Sequence, residues 1–504
     1  MCSLAAGSDI HLPAAGRRRS PCRRAAGLAG CLAGLAVTLV LTPSPAEDEP
    51  GRSLRTAAWK LEAIELRDGR RLEGLITAPP PGAEADADVT FVQVVRRPGR
   101  PTFMVTWGPL AGERVAAFDR LPPAEHERLA DKIRGLREDR ARRRDMEQAI
   151  ALERAGDEAP WRHVADEFVL ESTADQGITR EAALRLTQLF DALANLVPPA
   201  VPAGQPTRVR LCSTHAEYLA EQQALGIRVA NPAFFVPDRR LIVAGSDMPV
   251  LVAQWRAAAA ANADVARRLG ELDRELGSRL KQLAADLERQ GTPPNARAEV
   301  VKNARTRWQR ERAAEQARIE AADRKNENRV AAARRDFYGR LAHEAWHAYA
   351  ASRLRPAAGQ GLPPWLDEGL AQVLESAPLE AGELRLDAAD PARLAALQAL
   401  LREGRAPPLA AVLRAGGDQF IAGHAAAAEV SGHAYLVAWG LAFDLAVTQP
   451  LLAPAAVVAL GRGGDEDQVA RFERLVAAPL ETFEPQWRRR MAALRPAAAV
   501  SPAP

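Results

Sequence analysis

Cysteine is scarce in this chain, and its placement leaves no disulfide to stabilise the fold. Of the four cysteines among 504 residues, Cys2, Cys22 and Cys31 fall near the amino terminus. If that segment is removed on export, Cys212 stands alone and no intramolecular disulfide can form. The fold must therefore depend on its apolar core and on any metal that it binds.

The chain also lacks an excess of charge of either sign. Its 67 lysines and arginines nearly balance 64 aspartates and glutamates, and the formal net charge is +3. Nucleic-acid binding needs a concentrated basic face, so this balance predicts no nucleic-acid partner. It indicates no acidic partner either. The partner class must therefore be inferred from local motifs.

Residues 1–46 have the pattern of an export signal. An arginine-rich segment precedes an apolar stretch, Ala25 to Leu41, and a small-residue cleavage site at Ser44-Pro45-Ala46. We expect a secreted or periplasmic protein whose mature chain begins near Glu47. The apolar stretch is about seventeen residues long, near the lower limit for a bilayer span, so an uncleaved membrane anchor is the alternative. A lipobox-like sequence ends at Cys31, inside the apolar stretch, which disfavours lipidation.

The most informative segment is His343-Glu344-Ala345-Trp346-His347. Residues four apart share one face of an α-helix, so both imidazoles can reach one tetrahedral metal ion. Glu344 then lies beside the coordination position that the protein ligands leave open. This is the residue pattern of a zinc hydrolase.

A third ligand is expected in the second motif, Trp365 to Ala371 (WLDEGLA). Two prolines at its start predict a loop followed by a new helix, which places Glu368 in the first turn. Glu375 follows two turns later on the same face, where it could accept the second N–H of a ligating histidine. A solvated helix face is the alternative for Glu375. His424 and His433 are the alternatives to Glu368 as the third ligand.

HEAWH followed by WLDEGLAQVLE resembles the gluzincin signature, HExxH and then WLxEGxAxxxE, of thermolysin-like and aminopeptidase-like metallopeptidases. It is similar to a poorly characterised group of secreted bacterial proteins that share this motif pair and a later Tyr-x-x-x-Trp helix. The resemblance implies Zn²⁺ as cofactor, with His343, His347 and Glu368 as its ligands. It implies Glu344 as general base. It also implies that Tyr435 stabilises the oxyanion, and a packed core residue is the alternative for that tyrosine.

Two departures from related families narrow the implied activity. No Gly-x-Met-Glu-Asn segment precedes His343, which disfavours an aminopeptidase. Ala350 and Arg353 stand where the longer motif HExxHxxGxxH has its glycine and third histidine, which excludes a metzincin. We therefore expect an endopeptidase that hydrolyses peptide or protein substrates with metal-activated water and Glu344 as general base. The alternative is a catalytically silent, zinc-stabilised binding or scaffold protein of the cell envelope, although an intact Glu344 argues against it.

The coarse pattern predicts an α+β protein with several domains. Residues 54–120 contain strand-like segments and the turn dipeptide Asp68-Gly69, which indicates a small β-barrel-like domain. Residues 121–156 have the pattern of a charged helical connector. Residues 160–495 are expected to form the gluzincin-like metallopeptidase domain, a mixed sheet with helices, and 496–504 a disordered tail. The elements predicted early in that domain are strands near 167–171, 209–212 and 241–244, a helix that ends near 196, and a helix near 215–225.

Two helix-rich segments flank the pair of metal motifs. Residues 252–340 are predicted to form an inserted hairpin of two long antiparallel helices, broken at Gly291 to Asn295. Its leucines follow the heptad spacing of a coiled coil: Leu269, Leu272, Leu276, Leu280, Leu283 and Leu287. Such a hairpin could steer substrate, self-associate or act as a stiff spacer. Residues 378–420 are rich in alanine and leucine and are predicted helical, with loops at Pro391 and Pro407-Pro408.

Overall fold

The structure is a computed structural model. It describes residues 58–81, 87–96, 102–138, 146–202, 204–354, 361–377, 379–380, 382–387, 389–417, 420, 429–461 and 467–495. The predicted export signal, the predicted carboxyl-terminal tail and His424 lie outside these residues. The described residues fall into two compact units, one containing residues 252–330 and the other containing the rest. Among them, no helix combines the length and hydropathy needed to cross a bilayer.

The chain is of mixed α+β class, as its sequence predicts. The strands are β1 Glu62–Leu66, β2 Arg71–Ala78, β3 Val89–Val95, β4 Phe103–Leu110, β5 Val115–Asp119, β6 Trp161–Val164, β7 Phe168–Ser172, β8 Thr207–Cys212, β9 Ala233–Val236, β10 Leu241–Gly245, β11 Leu379–Glu380 and β12 Glu383–Arg385. The α-helices are α1 Pro123–Glu138, α2 Gln176–Leu196, α3 His215–Leu225, α4 Met248–Arg289, α5 Pro294–Tyr349, α6 Pro364–Ser376, α7 Pro391–Arg402, α8 Leu409–Leu413, α9 Glu429–Phe443, α10 Pro454–Gly461, α11 Gln468–Val476 and α12 Leu480–Ala493.

A seven-stranded mixed sheet occupies part of the larger unit, in the order β11-β12-β4-β3-β2-β1-β5. Strands β1 and β2 form an antiparallel hairpin in which Ile64 lies opposite Leu72. The chain turns at Gly69, whose φ of +87° is one that glycine adopts without strain. This confirms the hairpin that the Asp68-Gly69 dipeptide predicts.

Helix α1 packs on this sheet. Its Leu129, Ile133 and Leu136 recur at helical spacing and therefore form one apolar stripe, which shares a buried cluster with Leu75 of β2 and Met104 of β4. The charged segment predicted as a connector thus contains a helix that covers one face of the sheet. The boundaries of a separate β-domain stay predictions.

Strands β11 and β12 show that the helical prediction for residues 378–420 is wrong at its start. They pair with each other, and β12 also pairs in parallel with β4. Strands this short have too few residues to show a period in the sequence. A loop predicted at Pro391 is present directly before it, and Pro391 itself occupies the first turn of α7. The side chain of Asp390 caps that helix by accepting a hydrogen bond from the backbone N–H of Arg393.

A second mixed sheet of the larger unit has five strands, in the order β6-β7-β8-β10-β9. Strands β7, β8 and β10 pair in parallel, while β6 and β9 run antiparallel at the two edges. Helix α2 begins after Asp175, whose side chain accepts hydrogen bonds from the backbone N–H groups of Gly177 and Ile178. The strands predicted near 167–171, 209–212 and 241–244 and both predicted helices are present.

The smaller unit is formed by the distal parts of α4 and α5. Asn262 donates a hydrogen bond of 2.6 Å from Nδ2 to Oδ1 of Asp323, and Trp308 donates one of 3.0 Å from Nε1 to Oδ1 of Asp273. The partner on α5 moves back along the chain as the partner on α4 moves forward, so these helices are antiparallel. The two long helices and the break between them are confirmed. Coiled-coil packing and self-association stay predictions.

Candidate metal centre

The first metal motif lies at the carboxyl end of helix α5. The rings of His343 and His347 lie one turn apart on the same face, with centroids separated by 4.9 Å. The side chain of His343 is 1% exposed and that of His347 is 16% exposed. Tyr349 anchors the helix end, because its hydroxyl donates a 2.7 Å hydrogen bond to the carbonyl of Val197. Both imidazoles therefore project from a fixed and largely buried surface.

Glu368 of helix α6 faces both histidines. Its Oε2 atom lies 3.6 Å from Nε2 of His343, and its Oε1 atom lies 3.6 Å from Nε2 of His347. Helix α6 begins at Pro364, a residue favoured at the first helical position because its φ is already helical. Each of the three residues offers a ligand atom, and these atoms lie within 4.8 Å of one another. The structure thus brings together the residues that the resemblance implies as ligands.

This set of donors fits a zinc ion. Tetrahedral ligands at zinc bond lengths of about 2.0–2.1 Å are about 3.4 Å apart, and the two nitrogen–oxygen distances measured here are 3.6 Å. Among the described residues, two imidazoles and one carboxylate form the group of donors. Catalytic zinc sites have three protein ligands and leave the fourth position to water, whereas structural sites are closed by a fourth protein ligand. The set does not select zinc alone, since imidazole and carboxylate groups also bind other divalent ions.

Each of the two histidines also faces a carboxylate with its other ring nitrogen. Nδ1 of His343 lies 3.0 Å from Oε2 of Glu375, and Nδ1 of His347 lies 3.3 Å from Oδ1 of Asp367. Asp367 is held in turn by Trp346, whose Nε1–H donates a 2.8 Å hydrogen bond to the same oxygen. A carboxylate at Nδ1 favours the tautomer with its proton there, which leaves Nε2 as the acceptor. Both Nε2 atoms therefore face the space beside Glu368.

The carboxylates around His347 dominate its protonation in the metal-free chain. Burial by itself lowers the pKa of His347, but Asp367 and then the charges of Glu368 and Glu344 outweigh it and raise the pKa to about 10. A metal ion that binds here must displace a proton from this ring. The same concentration of negative charge attracts a cation.

The Glu375 carboxylate is ionised far into the acid range. Burial raises the pKa of Glu375, but the hydrogen bond with His343 and the charges of His343, Arg340 and Arg393 lower it to about 2. Oε1 of Glu375 lies 2.9 Å from Nη2 of Arg340 and 3.3 Å from Nη2 of Arg393. The predicted contact between Glu375 and a motif histidine is therefore present, and Glu375 does not lie on a solvated face.

Glu344 lies between the two histidines in sequence and is 7% exposed. Its charge contributes to the raised pKa of His347. It also acts on Tyr218 of helix α3, where burial and then the charge of Glu344 raise the pKa of the phenol. The buried carboxylate is thus close enough to both His347 and Tyr218 for its charge to act on them.

Tyr435 of helix α9 lies beside Glu368. Burial raises the pKa of the Tyr435 phenol, and the charge of Glu368 together with a hydrogen bond to it raises the pKa further. The carbonyl of Phe420 is a second acceptor for the hydroxyl, so it and Glu368 compete for the single phenol proton. Helices α6 and α9 approach so closely that a Cβ atom on Gly369 would lie 2.5 Å from the carbonyl oxygen of Ala438. This glycine of the second motif lets α9 bring Tyr435 next to the ligand.

His433 and His424 were the alternatives to Glu368 as the third ligand. His433 lies on α9 and is half-buried. Within the part of the chain that the structure describes, the group of three metal-binding side chains does not include it. His424 lies outside the described residues, so its relation to the site stays open.

Three residues at the centre were not identified from the sequence: Asp367, Arg340 and Arg393. Asp367 directly precedes Glu368 in the second motif, and Arg340 precedes His343 by one turn, so both had a local signal. Arg393 is contributed by α7. Its proximity depends on tertiary packing and has no signature in the sequence.

No family model, curated protein or solved structure matches this chain. The relation to gluzincins therefore remains the resemblance of the two motifs.

Proposed function

We propose that this chain is an exported zinc-dependent endopeptidase of gluzincin type. The observation that carries the proposal is the convergence of His343, His347 and Glu368, whose ligand atoms lie within 4.8 Å of one another. Glu344 is proposed as the general base of the hydrolysis, and its charge acts on His347. The substrate class is a peptide or protein.

The three donors among the described residues match the three-ligand sets of catalytic zinc sites, which supports catalysis over a purely structural role. The chemistry that zinc supplies when bound is Lewis acidity, which polarises a scissile carbonyl and lowers the pKa of water towards about 7. His343 and His347 would hold the ion through Nε2, and Glu368 through its carboxylate. Glu375 and Asp367 fix the orientation of the two rings at Nδ1.

Glu344 is the proton carrier of the proposed reaction. Its carboxylate accepts a proton from the attacking water and delivers it to the nitrogen of the leaving amine, so that the peptide bond is exchanged for an acid and an amine. Its burial removes competing water, which strengthens its interaction with a positively charged or proton-donating partner.

Tyr435 is proposed to donate a hydrogen bond to the oxyanion that develops on the scissile carbonyl. Its position beside Glu368 supports this role, and burial keeps the hydroxyl protonated. The hydroxyl is engaged by the carbonyl of Phe420, so it must exchange that acceptor for the substrate during the reaction.

That engagement of Tyr435 favours a second function. In a catalytically silent, zinc-stabilised binding or scaffold protein of the cell envelope, the tyrosine would serve only to tie α9 to Phe420. The two functions differ in the need for Glu344, because a protein that only binds zinc does not use a general base.

Export rests on the pattern of residues 1–46, which lie outside the described residues. We propose a secreted or periplasmic location, with retention by an uncleaved leader as the alternative. For the hairpin of residues 252–340 the proposed roles are steering of substrate, self-association or that of a stiff spacer.

The test compares Glu344→Gln with wild type in a digest of a denatured protein mixture followed by mass spectrometry. We expect Glu344→Gln to bind zinc as wild type does and to lose cleavage by about 10²–10⁴-fold, the contribution of general acid–base catalysis. Glu271→Gln, on the exposed surface of α4, is the matched control and should cleave normally. Equal cleavage by Glu344→Gln and wild type would refute the mechanism. Zinc binding without cleavage in wild type would favour the scaffold function.

A further inference from the structure

The carboxylate of Glu375 is shared by three side chains from two other helices. Its Oε2 atom faces His343 at 3.0 Å, while its Oε1 atom lies 2.9 Å from Arg340 and 3.3 Å from Arg393. One oxygen is thus directed to the histidine and the other to the two guanidinium groups. This division leaves the carboxylate little freedom to rotate.

The two arginines reach Glu375 from different directions. Arg340 lies one turn before His343 on α5, and its Nη1 atom is 3.5 Å from Nδ1 of that histidine. Arg393 lies on α7, where its Nη1–H donates a 2.7 Å hydrogen bond to the carbonyl of Gln372, one turn before Glu375 on α6. The carboxylate therefore connects three helices, and Arg393 also has a backbone acceptor of its own.

The backbone at this point is packed so closely that only glycine fits. A Cβ atom on Gly339 would lie 2.5 Å from the carbonyl oxygen of Glu375. The residue next to Arg340 thus brings α5 against α6 at the turn that contains Glu375. The short distance between the guanidinium and the carboxylate follows from this contact.

The burial of these groups makes the arrangement more than a surface ion pair. The side chains of Arg340 and Glu375 are 17% and 16% exposed, and partly buried charges interact more strongly than fully solvated ones. Four carboxylates, those of Glu344, Asp367, Glu368 and Glu375, surround the two histidines. The two arginines offset part of this negative charge through their contacts with Glu375.

We infer that Arg340 and Arg393 are positioning residues that hold the Glu375 carboxylate against His343 Nδ1, so that His343 presents Nε2 for metal binding. The inference rests on the proposed function, since it assigns the arginines a role in the proposed zinc site. They act through Glu375 and not on the metal or the substrate. Loss of either arginine releases one constraint on the carboxylate, and the histidine then samples other orientations and tautomers.

The test measures zinc affinity by competition with a fluorescent chelator, which does not depend on activity. Loss of a positive charge by itself favours a cation, but we expect the loss of orientation to dominate, so that Arg340→Met and Arg393→Met each weaken zinc binding by about tenfold, as for a partner behind a ligand. In a Glu375→Gln background, Arg340→Met should lower zinc affinity by less than about twofold more, because the residue through which Arg340 acts is already changed. Arg340→Lys should restore part of the affinity, since it keeps the charge but not the forked geometry.

Arg334→Met is the matched control. It removes another partly buried arginine of α5, which pairs with Glu181 at 3.3 Å, and should leave zinc affinity unchanged. Thermal unfolding of each variant tests whether the fold is retained. Arg393→Met provides a second variant, on another helix. Unchanged zinc affinity in both Arg340→Met and Arg393→Met would overturn this inference but not the proposed function. The same holds if Arg340→Met lowers zinc affinity equally in the wild-type and Glu375→Gln backgrounds. Failure of wild type to bind zinc would overturn the proposed function and this inference with it.

Discussion

Nδ1 of His347 lies 3.3 Å from Oδ1 of Asp367. Glu368, the next residue, faces the other nitrogen of the same ring, with Oε1 3.6 Å from Nε2. Consecutive residues of α6 thus flank one imidazole. Because a carboxylate at Nδ1 holds the proton there, Asp367 determines that Nε2 is the nitrogen free to bind a metal. The Nε1–H of Trp346 donates to Asp367 and keeps it in place.

Asp367→Asn should weaken zinc binding by about 10- to 100-fold, the usual effect of changing the partner of a ligating histidine. Asparagine keeps an acceptor oxygen but loses the charge that orients and polarises the ring. Chelator competition measures the affinity. Asp264→Asn on the exposed surface of α4, where the side chain is 54% exposed, is the control. Identical affinities for Asp367→Asn and wild type would show that this contact does not support the site.

The stability of the metal-free protein should depend on Glu375 in a defined pH window. Burial raises the pKa of Glu375, but His343 and the two arginines lower it from 4.5 to about 2. A carboxyl whose pKa is lowered on folding stabilises the fold fully above its ordinary pKa. That contribution declines as the pH falls towards the folded value.

The free energy of unfolding of metal-free wild type should therefore exceed that of Glu375→Gln by up to about 3 kcal/mol near pH 6. The difference should shrink as the pH falls from 4.5 towards 2. Urea unfolding at a series of pH values measures it. A difference that stays constant, or grows in acid, is incompatible with an ionised Glu375 in this position.

Gly339→Ala should destabilise the protein, although alanine is the better helix former. Helix propensity alone would stabilise the variant by about 0.5–1 kcal/mol, but the new Cβ would lie 2.5 Å from the Glu375 carbonyl oxygen. Overpacking of this kind costs about 1–3 kcal/mol. Gly277→Ala on α4, where a Cβ meets nothing within 4 Å, should be stabilising. Urea unfolding measures the free energy of unfolding of both variants. A stabilised Gly339→Ala would contradict the close contact of α5 and α6.

Elements with strong local signals could be predicted from the sequence. The β1–β2 hairpin follows from a turn dipeptide between alternating segments, and the helices α4 and α5 follow from their length and from the break near Gly291. Strands β11 and β12 could not be predicted. They are very short, and β12 pairs with β4, so that Glu383 meets a partner 277 residues away at Thr106. Pairing at that separation depends on tertiary packing.

In the candidate site, too, residues with a local sequence signal could be predicted, and residues that depend on tertiary packing could not. Residues at fixed helical spacing could be placed on one face of their helix before the fold was known, His343 with His347 and Glu368 with Glu375. Arg393 could not, because its approach to Glu375 depends on how α7 packs. Asp367 was overlooked because successive residues on a helix point in different directions, whereas here both Asp367 and Glu368 reach the same ring.

The most direct test of the account is the zinc content of the purified chain, measured by elemental mass spectrometry beside His347→Ala, Glu368→Ala and His433→Ala. We predict one zinc per wild-type chain, its loss in His347→Ala and Glu368→Ala, and its retention in His433→Ala, because His433 lies outside the group of metal-binding atoms. A folded wild-type protein that takes up no zinc when zinc is offered would contradict the account. Zinc retained by both His347→Ala and Glu368→Ala would contradict it as well.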